Sequence, residues 1–428
     1  MCGIAGELRF DGAAPERAVL ECMGERLARR GPDAHGYWAK DTVAFIHRRL
    51  AIIDLSERSA QPMVDEAAQL ALVFNGTIYN YPELRTALQG LGHDFRSDGD
   101  TEVILRAYAE WGEACVERLH GAFAFAIWDG GRQQLFLARD RIGIKPLYYA
   151  LDAQSLRFAS SPQALLAGGG IDTRLDLAGL HNHFSLHGVV LPPRTILAGI
   201  RKLAQATTLT LDHSGKTRSR RYWTFNAERP ELPHNEHQWT EMVHAALRNA
   251  TRKRLEIADV KVGVLLSGGL DSSLLVALLA EQGVADLMTF SIGFEDQPEE
   301  KGNEFEFSDA VAAYFGTRHH RYQIGNDEVL SRLPEVVECM AEPMASQDVA
   351  AFYLLSERVS KTVKVVQSGQ GADEVFAGYF WHQRMAEDKQ GTDLERFRRH
   401  YVDRDHSEFA DMLADDFHGE DVTTPMLE

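Results

Sequence analysis

The sequence has few cysteines, and none of them are paired at the spacing of a metal or redox motif. Four cysteines occur in 428 residues, and no two of them form a Cys-x-x-Cys pair. This absence argues against a disulfide framework and against a structural zinc site, and it predicts a protein of the reducing cytoplasm. The cysteines are Cys2, Cys22, Cys115 and Cys339.

Long apolar runs and an excess of basic residues are also missing. No segment is apolar over the length needed to cross a bilayer, and no basic stretch followed by an apolar one marks a signal peptide. The formal net charge is -18, whereas a protein that binds phosphate backbones presents a basic face. The composition therefore predicts a globular protein with neither a membrane nor a nucleic acid among its partners.

The hydrophobic pattern changes near the middle of the chain. Residues 2–225 are rich in predicted strands and hairpins, interrupted by helices predicted over 81–92 and 101–119. The polar, proline-bearing stretch 226–237 is predicted to be a linker. From 238 to 428 strands and helices alternate, which is typical of a parallel α/β sheet. The sequence thus predicts two domains joined by a short linker.

The most specific motif is a predicted strand that runs into Ser267-Gly268-Gly269 and is followed at once by a helix. Glycines let backbone N–H groups close around a phosphate, and the N-terminus of the helix adds its positive end. Asp271 offers a hard oxygen ligand for Mg²⁺ carried by the phosphates. A tight strand-to-helix turn capped by Ser267 is the alternative, but the strand, the helix and Asp271 together favour a phosphate site.

Two stretches of the second domain resemble known nucleotide loops. SGGLDSS (267–273) resembles the pyrophosphate loop of ATP pyrophosphatases, and SGQGADEVFAGY (368–379) resembles the later nucleotide loop of asparagine synthetases. The resemblance implies ATP and Mg²⁺ as cofactors, with Asp271 and Asp373 as the metal site and Gln370 beside the adenylate. The residues that it implies for ATP binding are Leu265, Ser267, Gly268, Gly269, Asp271, Ser272, Ile292, Ser368 and Gly369.

The chain begins MCGIAG, which places a cysteine directly after the initiator methionine. One interpretation of Cys2 is a small buried hydrophobic residue near a frayed terminus, which is the usual role of a lone cysteine. Removal of Met1 would instead give Cys2 a thiol nucleophile and a free α-amine, whose reference pKa of about 7.7–8.0 suits a general base. A thiol that attacks an amide also needs preset donors for the tetrahedral oxyanion.

Further stretches of the first domain agree with one family. These stretches are RRGPD (29–33), HRRLAIIDLS (47–56), FNGTIYN (74–80) and SDGDTEVIL (97–105). Together with CGIAG they resemble class II glutamine amidotransferases, and ARDRIGIKPLYY (138–149) is typical of asparagine synthetase-like chains.

The amidotransferase resemblance assigns roles to five residues. It implies that Cys2 is the nucleophile and that the Asn75 side chain and the Gly76 N–H form the oxyanion hole. It also implies that Arg49 pairs with the glutamine carboxylate and that Asp100 takes the glutamine ammonium, with Asn75 also in the glutamine site. Taken singly, Arg49 could be a strand-edge residue, Asn75-Gly76 a hairpin turn and Asp100 a helix cap, but the stretches agree on one mechanism.

The resemblance implies both a fold and a reaction. The fold is an α+β N-terminal nucleophile hydrolase sandwich with αββα layers, followed by an α/β parallel-sheet ATP pyrophosphatase domain. The reaction is glutamine-dependent amide synthesis, in which ammonia released at Cys2 attacks an acyl-adenylate formed with ATP. L-glutamine, ATP and a carboxylate are then the small-molecule partners. A shielded path for ammonia is expected from the family, and a homodimer is left open.

Three features depart from asparagine synthetases. Thr77 and Gln370 stand where those enzymes carry glutamates, and after Asp373 the only lysine is Lys389, so the synthetase domain is expected to be incomplete at its C-terminus. SGQGADEVFAGY resembles N-acetylglutaminylglutamine amide synthetases more closely, which makes N-acetylglutaminylglutamine the expected acceptor. Aspartate and an inactive regulatory homologue remain alternatives, whereas a tRNA-thiolating pyrophosphatase is disfavoured by the acidic charge and the glutaminase motifs.

Overall fold

The computed structural model describes residues 1–228, 234–296, 301–344, 346 and 348–427. The chain forms two compact units. The first comprises Met1–Ala227 with Arg404–Met426, and the second comprises Glu228–Asp403 with the last two residues. The predicted linker 226–237 falls partly outside the described residues, at 229–233.

The first unit contains two six-stranded sheets, with strand orders β10-β8-β9-β1-β3-β2 and β12-β11-β7-β6-β5-β4. All of their strand pairs are antiparallel. The strands are β1 (Gly3–Arg9), β2 (Ala34–Lys40), β3 (Val43–Arg49), β4 (Met63–Asp65), β5 (Leu70–Ile78), β6 (Gly121–Asp129), β7 (Gln134–Arg139), β8 (Tyr148–Leu151), β9 (Ser155–Ala159), β10 (Arg201–Lys202), β11 (Thr207–Asp212) and β12 (Thr217–Arg221).

Helices cover the outer face of each sheet. The helices of this part of the chain are α1 (Arg17–Arg26), α2 (Tyr81–Gly90), α3 (Asp100–Trp111), α4 (Cys115–Arg118), α5 (Pro162–Ala167) and α6 (Leu177–Ser185).

Alternation along β5 explains the layering of the first unit. Leu72 and Phe74 pack with α2 and α3, whereas Ala71 and Val73 pack between the two sheets. Because both faces of the strand are buried, its sequence is a nearly continuous apolar run. Helices α1 and α5 pack on the outer face of the other sheet. The predicted αββα sandwich is therefore confirmed.

The second unit is built around a parallel four-stranded sheet of order β15-β14-β13-β16. One face packs against α8 and α9 and the other against α11, so the predicted parallel α/β sheet is confirmed. Its elements are α7 (Glu236–Glu256), β13 (Val262–Leu265), α8 (Leu270–Glu281), β14 (Met288–Phe294), α9 (Phe305–Phe315), β15 (Arg318–Ile324), α10 (Asn326–Cys339), α11 (Asp348–Ser360), β16 (Val365–Gln367), α12 (Ala372–Phe376), α13 (Phe380–Glu387) and α14 (Asp393–Tyr401).

The last helices are α15 (His406–Met412) and α16 (Thr423–Leu427). Helix α15 packs on α6 of the first unit, where Phe409 stacks on Phe184 with ring centroids 4.7 Å apart. The Nδ1 atoms of His181 and His406 lie 3.0 Å apart beside this stack. No helix within the described ranges is long and apolar enough to cross a membrane.

One predicted helix is interrupted. Residues 101–119 were expected to form one helix, but α3 ends at Trp111 and α4 begins at Cys115. The break falls at Gly112, whose φ of 58° and ψ of −143° leave the helical region. A residue with a Cβ is strained at this backbone conformation, and glycine is not.

We expect Gly112→Ala to lower the free energy of unfolding by about 1–3 kcal/mol, because alanine is strained at this φ. The substituted Cβ would meet only the Arg132 side chain, at 3.6 Å, so steric overlap contributes little. Differential scanning calorimetry of both variants measures the effect. Gly90→Ala is the matched control, because a Cβ there meets open space; equal melting temperatures for the two variants would contradict the prediction.

Candidate active sites

A cavity of about 60 Å³ lies at the N-terminus of the first unit. Gly3 of β1 pairs with Arg48 of β3, so the preceding residue, Cys2, lies opposite Arg49. The backbone N–H of Leu50 donates to Cys2 Sγ over 3.4 Å, and the Leu50 carbonyl oxygen is 3.7 Å from the same sulfur. The structure brings all five predicted glutaminase residues to this cavity: Cys2, Arg49, Asn75, Gly76 and Asp100.

The surroundings of Cys2 disfavour the thiolate. Burial raises its pKa, and the hydrogen bond from Leu50 only partly offsets this. The α-amine of the chain belongs to Met1, and burial lowers its pKa to about 5. Met1 also lines the cavity, which is small beside typical ligand pockets of roughly 300–1,000 Å³. Removal of Met1 would therefore both free the α-amine of Cys2 and enlarge the cavity.

The end of β5 directs backbone N–H groups toward the cavity. Strand β4 pairs with Leu70–Leu72, and among the described residues no strand pairs with the later residues of β5 on that side. Phe74 N–H donates to Gln61 Oε1 over 2.6 Å, and Ile78 N–H donates to Asp100 Oδ2 over 3.0 Å. Because alternate residues of a strand direct their N–H groups to the same edge, Gly76 N–H points to this side, into the cavity that it lines.

The Asn75 side chain is fully buried, and within the described part of the chain neither of its amide atoms has a hydrogen-bond partner. A buried amide without a partner is costly, so an unpaired one in a native cavity calls for an explanation. A ligand oxygen that accepts from Asn75 Nδ2 and Gly76 N–H provides one. These two donors have the chemistry of an oxyanion hole.

Arg49 is fixed by the loop that follows it. Its guanidinium donates to the carbonyl oxygens of Ser56, over 2.9 Å, and of Asp54. The Asp54 carboxylate in turn accepts from Ser56, from Ser59 Oγ over 2.7 Å and from Asp98 N–H over 2.8 Å. Although burial raises the pKa of Asp54, these hydrogen bonds hold it below its usual range. Asp54 thus ties the Arg49 loop to the residues just before Asp100.

Asp100 begins α3 and is 4% exposed. Burial raises the pKa of its carboxyl to about 7, despite the hydrogen bond from Ile78 N–H. A cation placed beside this carboxyl would favour its ionised form. The cavity therefore offers a guanidinium for a carboxylate and a carboxyl for an ammonium, the two charged groups that an amino acid carries.

Sequence reasoning missed several residues of this site. Gln61, Thr101 and Lys145 also line the cavity, and Gln61 bridges Phe74 N–H to Thr101 Oγ1, the latter over 3.3 Å. The side chain of Thr77, one of the noted departures, lines the cavity too. Lys145 lies within the motif ARDRIGIKPLYY, so the sequence could have indicated it as a site residue, whereas Gln61 lies in no recognised motif.

The second unit has a cavity of about 300 Å³ at the carboxyl ends of its parallel strands. Ligands of open α/β sheets bind at this edge. Phe290, Ser291, Ala351, Phe352 and Leu355 line it without having been predicted. The predicted residues that line it are Leu265, Ser267, Gly269, Asp271, Ser272, Ile292, Ser368, Gly369, Gln370 and Asp373.

Glycines bring the two predicted nucleotide loops together. A Cβ on Gly369 would come within 2.9 Å of Asp271 Cβ, so the loops pack in direct contact. Gly268 was predicted to bind ATP, but it is not among the residues that line the cavity. Its φ is 94°, and a Cβ there would lie 2.5 Å from Phe307 Cβ and 2.6 Å from Ser308 N. The structure therefore explains this glycine by backbone conformation and by packing against α9.

The charged residues that line the second cavity in the described chain are both acids, Asp271 and Asp373. Two carboxylates repel a triphosphate unless a divalent cation lies between them, and carboxylate oxygens are ligands that Mg²⁺ accepts. The donor set therefore fits magnesium brought by a nucleotide. Lys389, the lysine noted in the sequence, lies outside the cavity and donates to the Ala386 carbonyl oxygen over 2.6 Å.

Two family models match successive segments of the chain. Residues 1–223 match the family model described as a glutamine amidotransferase domain, and residues 242–423 match the model described as asparagine synthase. A solved structure of glutamine phosphoribosylpyrophosphate amidotransferase from Bacillus subtilis is 17% identical and covers 75% of this chain and 65% of that one. Its TM-score is 0.40, too low to carry an argument.

Two sequence relatives each match 89% of the chain, across both family models. Glutamine-hydrolysing asparagine synthetase 3 of Bacillus subtilis is 36% identical over 399 residues, which cover 89% of this chain and 64% of the relative. A putative glutamine-hydrolysing asparagine synthetase 2 of Methanocaldococcus jannaschii is 34% identical over 403 residues, which cover 89% of this chain and 76% of the relative. The chain spans less than two thirds of the length of the first of these relatives. By these matches, the chain belongs to the asparagine synthetase family.

Proposed function

We propose that the chain carries the glutaminase and the adenylating centres of a glutamine-dependent carbon–nitrogen ligase. The observation that carries the proposal is the buried, unpartnered amide of Asn75 in a cavity shared with Cys2. An inactive homologue has no need to keep such a group. A glutaminase assay that measures glutamate released from L-glutamine tests the proposal.

In the glutaminase centre, the thiol of Cys2 attacks the side-chain amide carbon of glutamine after Met1 has been removed. The free α-amine of Cys2 takes the thiol proton, and Asn75 Nδ2 and Gly76 N–H donate to the oxyanion that forms. The tetrahedral intermediate collapses when the amine returns the proton to the leaving nitrogen, which departs as ammonia. Water then hydrolyses the thioester, releasing glutamate and the thiol.

In the second unit, the cavity of about 300 Å³ is assigned to ATP and a carboxylate substrate. Leu265, Ile292 and Phe352 offer apolar surface for a purine, and the Ser267–Gly269 loop, before the N-terminus of α8, offers a place for phosphates. Magnesium held by Asp271 and Asp373 would neutralise the charge of the phosphates. Attack of the carboxylate on the α-phosphate gives an acyl-adenylate and pyrophosphate, and ammonia then displaces AMP.

Gln370 supports an acceptor other than aspartate. It lies in the cavity, with its backbone N–H 3.2 Å from Ser368 Oγ, and a carboxamide cannot take a proton from incoming ammonia. We therefore propose a longer, neutral-capped acid such as N-acetylglutaminylglutamine. The second candidate is aspartate, which is supported by the names of the relatives.

We expect Cys2→Ala to lower glutamine hydrolysis by more than about a thousandfold, because the nucleophile is lost. Amide synthesis supplied with ammonium chloride should be unchanged, because the thiol serves only to release ammonia. Glutamate release and ammonium-supported AMP release measure the two activities.

Cys22→Ala is the control for the loss of a thiol, because Cys22 is exposed on α1. Mass spectrometry of the N-terminal peptide reports whether Met1 has been removed. Full hydrolysis by Cys2→Ala, or by a preparation that keeps Met1, would refute the mechanism.

We expect Asp271→Asn to weaken the binding of Mg-ATP by roughly tenfold to a hundredfold, because one hard ligand is lost at the metal. Glutamine hydrolysis should be unaffected. Isothermal titration calorimetry measures the affinity. Asp327→Asn removes the same charge from the first turn of α10, outside the cavity, and serves as the control; similar affinities for both variants would exclude a magnesium role for Asp271.

We expect AMP release to be at least about tenfold faster with N-acetylglutaminylglutamine than with aspartate, since loss of a general acid–base group costs about a hundredfold or more. Each acceptor is supplied with Mg-ATP and ammonium chloride, and the amide product is identified by mass spectrometry. Efficient production of asparagine would show that the acceptor is aspartate.

A further inference from the structure

The loop that joins β7 to β8 is fixed by one buried carboxylate. Asp140 Oδ1 accepts from the N–H groups of Ile142, Gly143 and Ile144 over 3.1, 2.7 and 3.0 Å. Its Oδ2 accepts from Lys145 N–H over 2.9 Å and from Phe123 N–H over 3.1 Å. Phe123 pairs with Gly76 across β5 and β6, so the loop is held to the strands that carry the proposed oxyanion hole.

The neighbouring Arg139 fixes the same loop from its other side. Its guanidinium donates to the carbonyl oxygens of Gly143 over 2.7 Å, Lys145 over 2.9 Å and Leu203 over 2.6 Å. The backbone N–H and carbonyl of Lys145 are thus both bound. A loop constrained in this way fixes the position of the Lys145 backbone, from which the side chain extends.

The Lys145 side chain enters the cavity of Cys2, and its Nζ lies 3.2 Å from Met1 Sδ. A thioether is a weak acceptor, and the Asp140 carboxylate, which also acts on this ammonium, already accepts from backbone N–H groups. Burial lowers the pKa of Lys145. The Lys145 side chain is thus partly withdrawn from water, and its contact with Met1 would be lost on removal of the initiator methionine.

We propose that Lys145 is a positioning residue of the glutaminase centre, whose ammonium keeps the freed α-amine of Cys2 unprotonated and stabilises the thiolate that forms during attack. The inference rests on the proposed glutaminase function. A cation beside the amine disfavours a second positive charge there, and the same cation favours the anionic sulfur. Both effects favour the reactive form of Cys2, in which the neutral α-amine acts as the base and the sulfur acts as the nucleophile.

Several charged groups surround the N-terminus. Arg30, Lys145 and Asp33 act on the α-amine of Met1, Asp100 and Arg49 act on the Cys2 thiol, and Asp140 acts on Lys145. Arg30 Nε donates to the Cys2 carbonyl oxygen over 3.2 Å, and Arg49 is bound to its own loop. Asp33 Oδ2 accepts from Ala51 N–H over 2.8 Å. Lys145 is the cation whose head group contacts the residue that processing removes.

Lys145→Met tests the proposal, since it keeps the length of the side chain and removes the charge. Because a nearby cation disfavours protonation of an amine, its removal should raise the acid limb of kcat/KM for glutamine hydrolysis by about one pH unit. Alkylation of Cys2 by iodoacetamide should slow about tenfold at pH 7. Peptide-resolved mass spectrometry separates Cys2 from the exposed Cys22 and Cys339.

The controls are Lys145→Arg, which keeps the charge and should retain the parental pH profile, and Lys40→Met, which removes a charge from the exposed end of β2. Unchanged alkylation of Lys145→Met would overturn the proposal. So would a rise in KM for glutamine with an unshifted profile, which would make Lys145 a substrate contact. Because alkylation needs no turnover, a shifted alkylation profile in a chain without glutaminase activity supports the Lys145 role while refuting the proposed function.

Discussion

The cavity of the first unit depends on strand β5, which extends beyond the end of its neighbour β4. Strand β4 covers only the beginning of β5, so the remaining inward N–H groups of β5 lack a partner strand. A buried N–H must be satisfied by something. Gln61 and Asp100 satisfy those of Phe74 and Ile78, and the N–H between them, on Gly76, is the backbone donor of the proposed oxyanion hole. The part of β5 that extends beyond β4 thus directs a row of backbone donors toward the cavity.

Buried carboxylates hold the loops around this row. Asp54 organises the loop that binds Arg49, and Asp140 organises the loop that carries Lys145. Both accept hydrogen bonds mainly from backbone N–H groups and hydroxyls. Asp100 differs because it lines the cavity itself, and burial raises the pKa of its carboxyl to about 7. The carboxylates of Asp54 and Asp140 therefore have hydrogen-bond partners within the protein. A cationic group of a ligand would favour the ionised form of Asp100, which lines the cavity.

The sequence indicated the layers of both units and most of the polar residues at each centre. Hydrophobic alternation and short motifs both involve residues that are near one another in the sequence. They can therefore be recognised without knowledge of the tertiary structure. The break at Gly112 was missed because the apolar pattern continues through it. Gln61 and Asp54 gain their roles from contacts across the fold, which no local pattern encodes. Gly268 matched a motif, yet its place in the structure is explained by packing against α9.

The Asp140 hub has a consequence for local opening of the chain. Ile142 and Ile144 have side chains that are 74% and 50% exposed, so this segment looks like an ordinary surface loop. The amide hydrogens of residues 142–145 are nevertheless bound to one buried carboxylate that also accepts from an amide of β6. Hydrogen exchange from these amides then requires the carboxylate to leave its place, which disrupts the sheet as well. The loop therefore belongs to the same cooperative unit as the strands beneath it and exchanges with them.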